Sequence, residues 1–305
     1  MKYCFLTFMI LFSFSLHSQQ TIGEKLGYSK DDILLIVHAD DLGMSQAQNQ
    51  GSINGFEKGL ISSASIMVPC PWYEQIAEYA AAHPEHDWGL HITMNAEWKY
   101  MRWDGVSPSS EIPSLINQHG YLHKEISEVQ EGAKIEELDK EIRAQIDKAL
   151  KSGIKVTHLD SHMGTLFYKP EFLKALIQAG KDYGIPVMLP TYLIPGSAQI
   201  LADTWPGLVP IERLIDITPQ VKPEGWADAY DEMIDNLKPG FNQLIIHLAY
   251  DGPEMQALCI DHSDWGAEWR QRDVDYIFSE RFTKALKRNN IKLVDWGEVQ
   301  EMLMK

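Results

Sequence analysis

Apolar residues along this chain fall into short continuous runs separated by longer stretches of helical period. Runs such as ILLIVH and QLIIHL are not strictly alternating but largely apolar, as in strands covered on both faces. Strands are predicted at residues 33–39, 63–68, 87–94, 155–160, 186–189, 243–248 and 292–295. Helices are predicted near residues 46–58, 72–82, 127–152, 170–183, 226–237 and 273–288. The helix from Ser127 is the clearest: Ile135, Leu138, Ile142, Ile146 and Leu150 recur at spacings of three and four, and Gly153 stops it. Strands alternating with helices predict the α/β class, here an irregular (β/α) barrel with about seven parallel strands. A chain of 305 residues without linker or internal repeat suits a single barrel domain, which needs about 250 residues.

Two stretches resist this alternation. Residues 95–124 and 249–272 are long and aperiodic and carry Trp98, Trp103, Trp265 and Trp269. Long ordered loops that follow barrel strands commonly carry function. Their aromatics suit stacking on sugar faces and suit packing on the barrel equally well.

Residues 1–18, MKYCFLTFMILFSFSLHS, have one early lysine, an apolar centre and a small residue at the end, the pattern of a secretory signal peptide. The expectation is therefore a barrel domain over residues 19–305 in a periplasmic or secreted protein, with an uncleaved anchor as the alternative. The apolar stretch is short for a membrane span, so no stable span is expected after cleavage. A formal net charge of −16 argues against nucleic acid or an anionic membrane as partner. Beyond the signal only Cys70 and Cys259 remain, and two buried free thiols are expected rather than a disulfide. Homo-oligomers are left open.

The candidate chemistry lies at strand ends. Asp40 and Asp41 end the first run at a predicted turn, DDLG, His91 lies in GLHITMN, and His158, Asp160 and His162 alternate in THLDSHM. In parallel barrels the carboxyl ends of the strands collect at one rim. One carboxylate with two imidazoles suits a divalent ion such as zinc and leaves positions open for water and substrate, and a second carboxylate beside it suits a general base. An Asx-type turn is the plain alternative for Asp40–Asp41, but adjacent like charges resist joint ionisation unless a cation is near. His162, furthest along its run, is the better ligand candidate. Asp160 suits the orientation of a ligand imidazole, and His158 suits a structural role. His247, ending QLIIHL, suits either a proton donor or a buried structural imidazole. Arg270 and Arg272 are candidates to orient Asp40 or contact substrate, with surface pairing as the alternative. Trp265 and Trp269 are candidates for substrate stacking.

With HADDLG, GLHITMN and THLDSH in this order, the chain resembles the YdjC-like carbohydrate deacetylases, over about residues 32–297. The resemblance implies a barrel-like α/β fold and a divalent metal, magnesium or zinc. It makes Asp41, His91 and His162 the ligands and Asp40 the catalytic base. The chain departs from the family in having His38 where Asn is usual, Met163–Gly164–Thr165 where further histidines are common, and Leu248 after His247 in place of Pro.

The resulting expectation is a metal-dependent hydrolase that removes an N-acetyl group from an amino sugar or oligosaccharide. Three other readings stay in view: a glycoside hydrolase, whose carboxylates flank the bond without a metal; a two-histidine, one-carboxylate iron oxygenase; and a catalytically silent glycan-binding protein.

Overall fold

The computed structural model describes residues 20–191 and 205–304; the expected signal peptide lies outside the described residues. Its strands are β1 (Ile33–Leu42), β2 (Ser63–Ile66), β3 (Trp88–Ile92), β4 (Val156–Ser161), β5 (Val187–Pro190), β6 (Leu208–Ile211), β7 (Arg213–Ile215), β8 (Gly240–Ile246) and β9 (Lys292–Leu293). Every pairing between them is parallel. The spatial order is β6-β5-β4-β3-β2-β1-β8-β7. Only Glu212 separates β6, which pairs with β5, from β7, which pairs with β8. The two ends of the path are therefore halves of one bent strand, and the sheet returns on itself as a barrel.

The expected count of walls holds, but its membership changes. The run at 292–295 contributes two residues that pair with the foot of β1 at Leu34 and Leu35, off the main path. The wall at 208–215 escapes the sequence pattern because Pro210 interrupts it and the charged pair Glu212–Arg213 ends its apolar run.

The described helices are α1 (Ile22–Lys25), α2 (Gln46–Glu57), α3 (Tyr73–Ala82), α4 (Ile126–Gly132), α5 (Ile135–Lys151), α6 (Pro170–Tyr183), α7 (Trp226–Asp235), α8 (Pro253–Leu258), α9 (Ala267–Ile277), α10 (Glu280–Arg288) and α11 (Trp296–Met304). The helix expected at 127–152 is two, broken where Ala133 turns extended (φ −67°, ψ 130°). Leu138, Ile142 and Ile146 of α5 face the core as expected, whereas Leu150 is exposed. The helix expected at 273–288 is likewise two, because Ser279 leaves the helical region and caps α10 by accepting from the Phe282 N–H.

The long loops are built inward. Trp98, Trp103 and Trp269 are buried, so these aromatics pack rather than wait for a ligand. Cys70 and Cys259 are free and buried. No helix among the described residues is long and apolar enough to cross a membrane. The barrel interior is unusually polar, with His38, Ser63, Ser65, Asp87, Thr157, His158 and Asp160 all buried.

Candidate active site and metal centre

Because all strands run the same way, their carboxyl ends gather Asp40, Asp41, His91, Asp160, His162 and His247 at one rim. Two adjacent aspartates on a regular strand would face opposite sides. Here the pairing of β1 with β2 passes from Ala39↔Ala64 to Leu42↔Ile66, so β1 carries one extra residue. Asp41 takes a left-handed backbone, φ 68°, a region aspartate tolerates better than most residues. The strand thus runs on through a bulge where the sequence suggested a turn, and the bulge re-aims a side chain so that both carboxylates serve the site.

Asp41 Oδ1 lies 3.5 Å from His91 Nε2 and 3.3 Å from His162 Nδ1, and all three groups are buried. Each imidazole is held by its other nitrogen. His91 Nδ1 is 2.6 Å from Asp160 Oδ1, and His162 Nε2 is 3.0 Å from Glu97 Oε2. Carboxylates only accept, so those nitrogens carry the protons and, in the neutral rings, His91 Nε2 and His162 Nδ1 present lone pairs. Asp41 Oδ1 makes no hydrogen bond although it is buried. Two lone pairs and an unpartnered carboxylate oxygen within 4.8 Å of one another form a donor set that fits a divalent cation.

The second oxygen of Asp41 is fixed by Arg270 on α9. Its Nη2 donates at 2.7 Å, while Nη1 donates to Gln48 on α2 at 2.9 Å and Nε to the Trp265 carbonyl at 2.6 Å. Burial alone would raise the Asp41 pKa, but the Arg270 charge and the neighbouring His162 and His247 hold it well below the usual carboxylate range. Arg270 therefore orients Asp41, not Asp40. It is almost wholly buried, which excludes the alternative of a surface pair.

Asp40 sits beside this set, 3.9 Å from His91 Nε2, and its Oδ1 accepts from Ser65 Oγ at 3.2 Å. Gln48 Nε2 donates to the Asp40 carbonyl at 2.6 Å and ties the bulge to α2. His247 Nε2 is 3.9 Å from Asp41 Oδ2, and its backbone N–H donates to Asp273, which also accepts from Tyr230 and Trp226. With 15% of its side chain exposed, His247 is open to the rim where His91 and His162 are not. Burial pushes its pKa down to about 4 despite the pull of Asp41.

Three expected site residues are elsewhere. Arg272 pairs with Glu268 at 2.7 Å along α9 and lies over Trp226. Trp269 is core, stacked edge-on against Trp226. Trp265 contributes its carbonyl to Arg270, and its ring stacks on Trp269. His158 takes the structural role expected of it: its ring lies against Trp296 and so close to Gly89 that a Cβ there would meet it at 2.2 Å. The strand alternation expected to carry His162 stops at Ser161, and a short 3₁₀ turn, with Met163 at φ 53°, presents His162 instead. Glu97, Gln48, Ser65 and Asp273 had no sequence signal. Each is a polar residue in an otherwise unremarkable context whose partner is distant in the chain.

A parallel barrel with a buried carboxylate–imidazole donor set at its carboxyl rim defines the architectural class. The sequence profile of the YdjC-like proteins matches residues 34–288, and the chain belongs to that family. It is 30% identical over 264 residues to a carbohydrate deacetylase of Thermus thermophilus, covering 83% of this chain and 88% of that protein. It is 30% identical over 156 residues to a carbohydrate deacetylase of Brevibacillus brevis, covering 51% of this chain and 59% of that one. A crystal structure from Enterococcus faecalis, provisionally assigned as a cellobiose-phosphate cleavage protein, superposes with a TM-score of 0.72 at 20% identity, covering 87% of this chain and 98% of that one. This likeness shows the fold, including the barrel expected from the sequence.

Proposed function

We propose that the protein is a metal-dependent carbohydrate deacetylase that hydrolyses the N-acetyl group of an amino sugar or of an N-acetylated oligosaccharide, outside the cytoplasm. The carrying observation is the convergence of Asp41 Oδ1, His91 Nε2 and His162 Nδ1, with the second carboxylate, Asp40, alongside. The activity of the two relatives supports the carbohydrate assignment.

Asp41, His91 and His162 would hold the ion, zinc or magnesium, which when bound supplies Lewis-acid polarisation of the amide carbonyl and of a water. Asp40 accepts the proton that the attacking water loses. That proton has to reach the departing nitrogen, and His247, exposed to the rim, is placed to pass it on. An imidazole whose pKa is pushed down to about 4 is a strong acid once protonated, so it carries the proton during turnover rather than storing it. Arg270 holds Asp41 in place and keeps it ionised. The carboxylates Asp40 and Asp160 both engage the His38 ring, an arrangement unlike a pair that flanks a glycosidic bond across a cleft.

The test is acetate release from a panel of N-acetylated mono- and oligosaccharides, with and without chelator, and with zinc or magnesium restored. Release that is abolished by chelator, restored by one ion and lost in Asp40→Asn supports the reading. No release from folded, metal-loaded protein on any member of the panel sinks it.

A further inference from the structure

The role of the His38 imidazole, which lies two residues before Asp40 on β1, follows from counting donors. The ring is fully buried. Its Nε2 lies 3.0 Å from Asp40 Oδ1, 3.2 Å from Asp160 Oδ2 and 3.1 Å from Ser65 Oγ. Ser65 directs its own proton to Asp40 Oδ1, so every neighbour of Nε2 is an acceptor and Nε2 must carry hydrogen. On the other side, Nδ1 is 2.9 Å from Ser63 Oγ, and Ser63 donates to Asp87 Oδ1 at 2.6 Å. A hydroxyl has one proton to give, so Ser63 accepts from Nδ1, which must carry hydrogen too.

We propose that His38 is a buried imidazolium whose Nε2–H clamps the base Asp40 to Asp160, the carboxylate that orients His91, while its Nδ1–H is given to Ser63, making it a positioning residue for both the base and the metal ligand. The kinetic part of this inference rests on the deacetylase reading; the charge state does not.

The surroundings agree. Burial alone would lower the His38 pKa, but the hydrogen bonds and charges of Asp160 and Asp40 raise it to about 10. The groups facing the ring are Asp40 on its own strand, Ser63 and Ser65 on β2, Asp160 and His158 on β4, and Asp87 through Ser63. His158 meets His38 edge-on with ring centroids 5.1 Å apart, and burial and the His38 charge both keep it neutral. The competing arrangement moves one proton through Ser63 onto Asp87, whose pKa burial raises to about 7. It leaves Asp40 and Asp160 sharing one neutral N–H. Two buried carboxylates converging on one nitrogen favour the cation, because a neutral ring leaves their repulsion uncompensated.

A neutral amide could donate both protons of its NH2 to this pair but brings no charge. His38 fixes the geometry of Asp40 and, through Asp160 and the His91 Nδ1–H, the direction of the His91 lone pair.

The decisive measurement is a long-range ¹H–¹⁵N correlation spectrum of the histidine rings in the full-length protein between pH 6 and 8, with His38 assigned by its loss in His38→Gln. Both His38 nitrogens in the protonated range, in zinc-free and zinc-loaded protein, is the expected result. A singly protonated ring overturns the charge assignment and points to the proton on Asp87. Ser63→Ala gives a second route: Nδ1 stays protonated if the carboxylates hold the charge, and loses its proton if Asp87 does. In His38→Gln, zinc affinity and kcat are each expected to fall about 10- to 100-fold, with KM little changed. Wild-type zinc affinity in a folded His38→Gln overturns the positioning role. If no N-acetyl sugar is turned over, the spectrum and the zinc titration still decide the matter, so the two readings fail separately.

Discussion

Two clusters of histidine and aspartate are stacked in this barrel, and they differ in one respect. In the upper cluster, Asp41, His91 and His162, each side chain spends one polar atom on a fixed partner and turns the other toward a common point. In the lower one, His38, Asp160 and Asp87 find their partners within the protein, chiefly in one another, Ser63, Ser65 and Thr157. Residue type does not separate a candidate metal centre from a structural polar core; the bookkeeping of lone pairs does. The lower cluster leaves one ring nitrogen, His158 Nε2, without a partner, whereas the upper turns an unpaired carboxylate oxygen and two imidazole nitrogens toward one another.

This contrast can be tested from its largest consequence downward. Asp40→Asn should lower kcat by about 10²- to 10⁴-fold, the usual worth of a general base, with zinc content by mass spectrometry unchanged. Loss of zinc together with activity would instead make Asp40 part of the metal set. In the lower cluster, His158→Ala removes the ring between Gly89 and Trp296 and should cost roughly 2–4 kcal/mol in chemical denaturation while zinc affinity stays put. A large drop in zinc affinity there would erase the distinction between the clusters. Glu97→Gln keeps the shape beside His162 but removes the charge, and isothermal titration should show zinc binding weakened by about 10- to 100-fold.

Proton linkage gives a gentler probe. Burial opposes protonation of His162, yet Glu97 and Asp41 raise its pKa to about 10, so without an ion the ring holds an extra proton at neutral pH. An ion must displace that proton. Zinc affinity should therefore climb with pH, by up to about tenfold per unit for one proton, and a flat profile between pH 6.5 and 8.5 would show the ring already neutral. The smallest effect belongs to Arg272→Ala, expected to shift stability by less than about 1 kcal/mol and activity not at all, since its partner Glu268 is exposed.

The sequence announces most of the barrel because its walls are buried on both faces and are largely apolar runs set between helical stretches. The wall at Leu208–Ile215 is silent for the opposite reason: it is short, contains a proline and bends at charged residues. Within the site, Asp40, Asp41, His91 and His162 are legible as chemistry placed at strand ends. Arg270 is legible only as one of two candidate arginines, because nothing local distinguishes it from Arg272, two positions away. One turns inward to a buried carboxylate and the other lies along its own helix. Glu97, Gln48 and Asp273 could not be read at all, since their importance lies in contacts made across many residues of chain.

The bulge in β1 narrows what evolution can place at position 41. A residue there must lend an oxygen or nitrogen to the shared point, accept from a buried guanidinium and sit comfortably at φ 68°. Glutamate carries the charge but is too long and rarely adopts that backbone; asparagine and histidine adopt it but do not bring the negative charge. Aspartate alone meets all three demands, so this one position is specified by shape, length and charge together, and drift in the surrounding loops can retune what the rim receives without touching it.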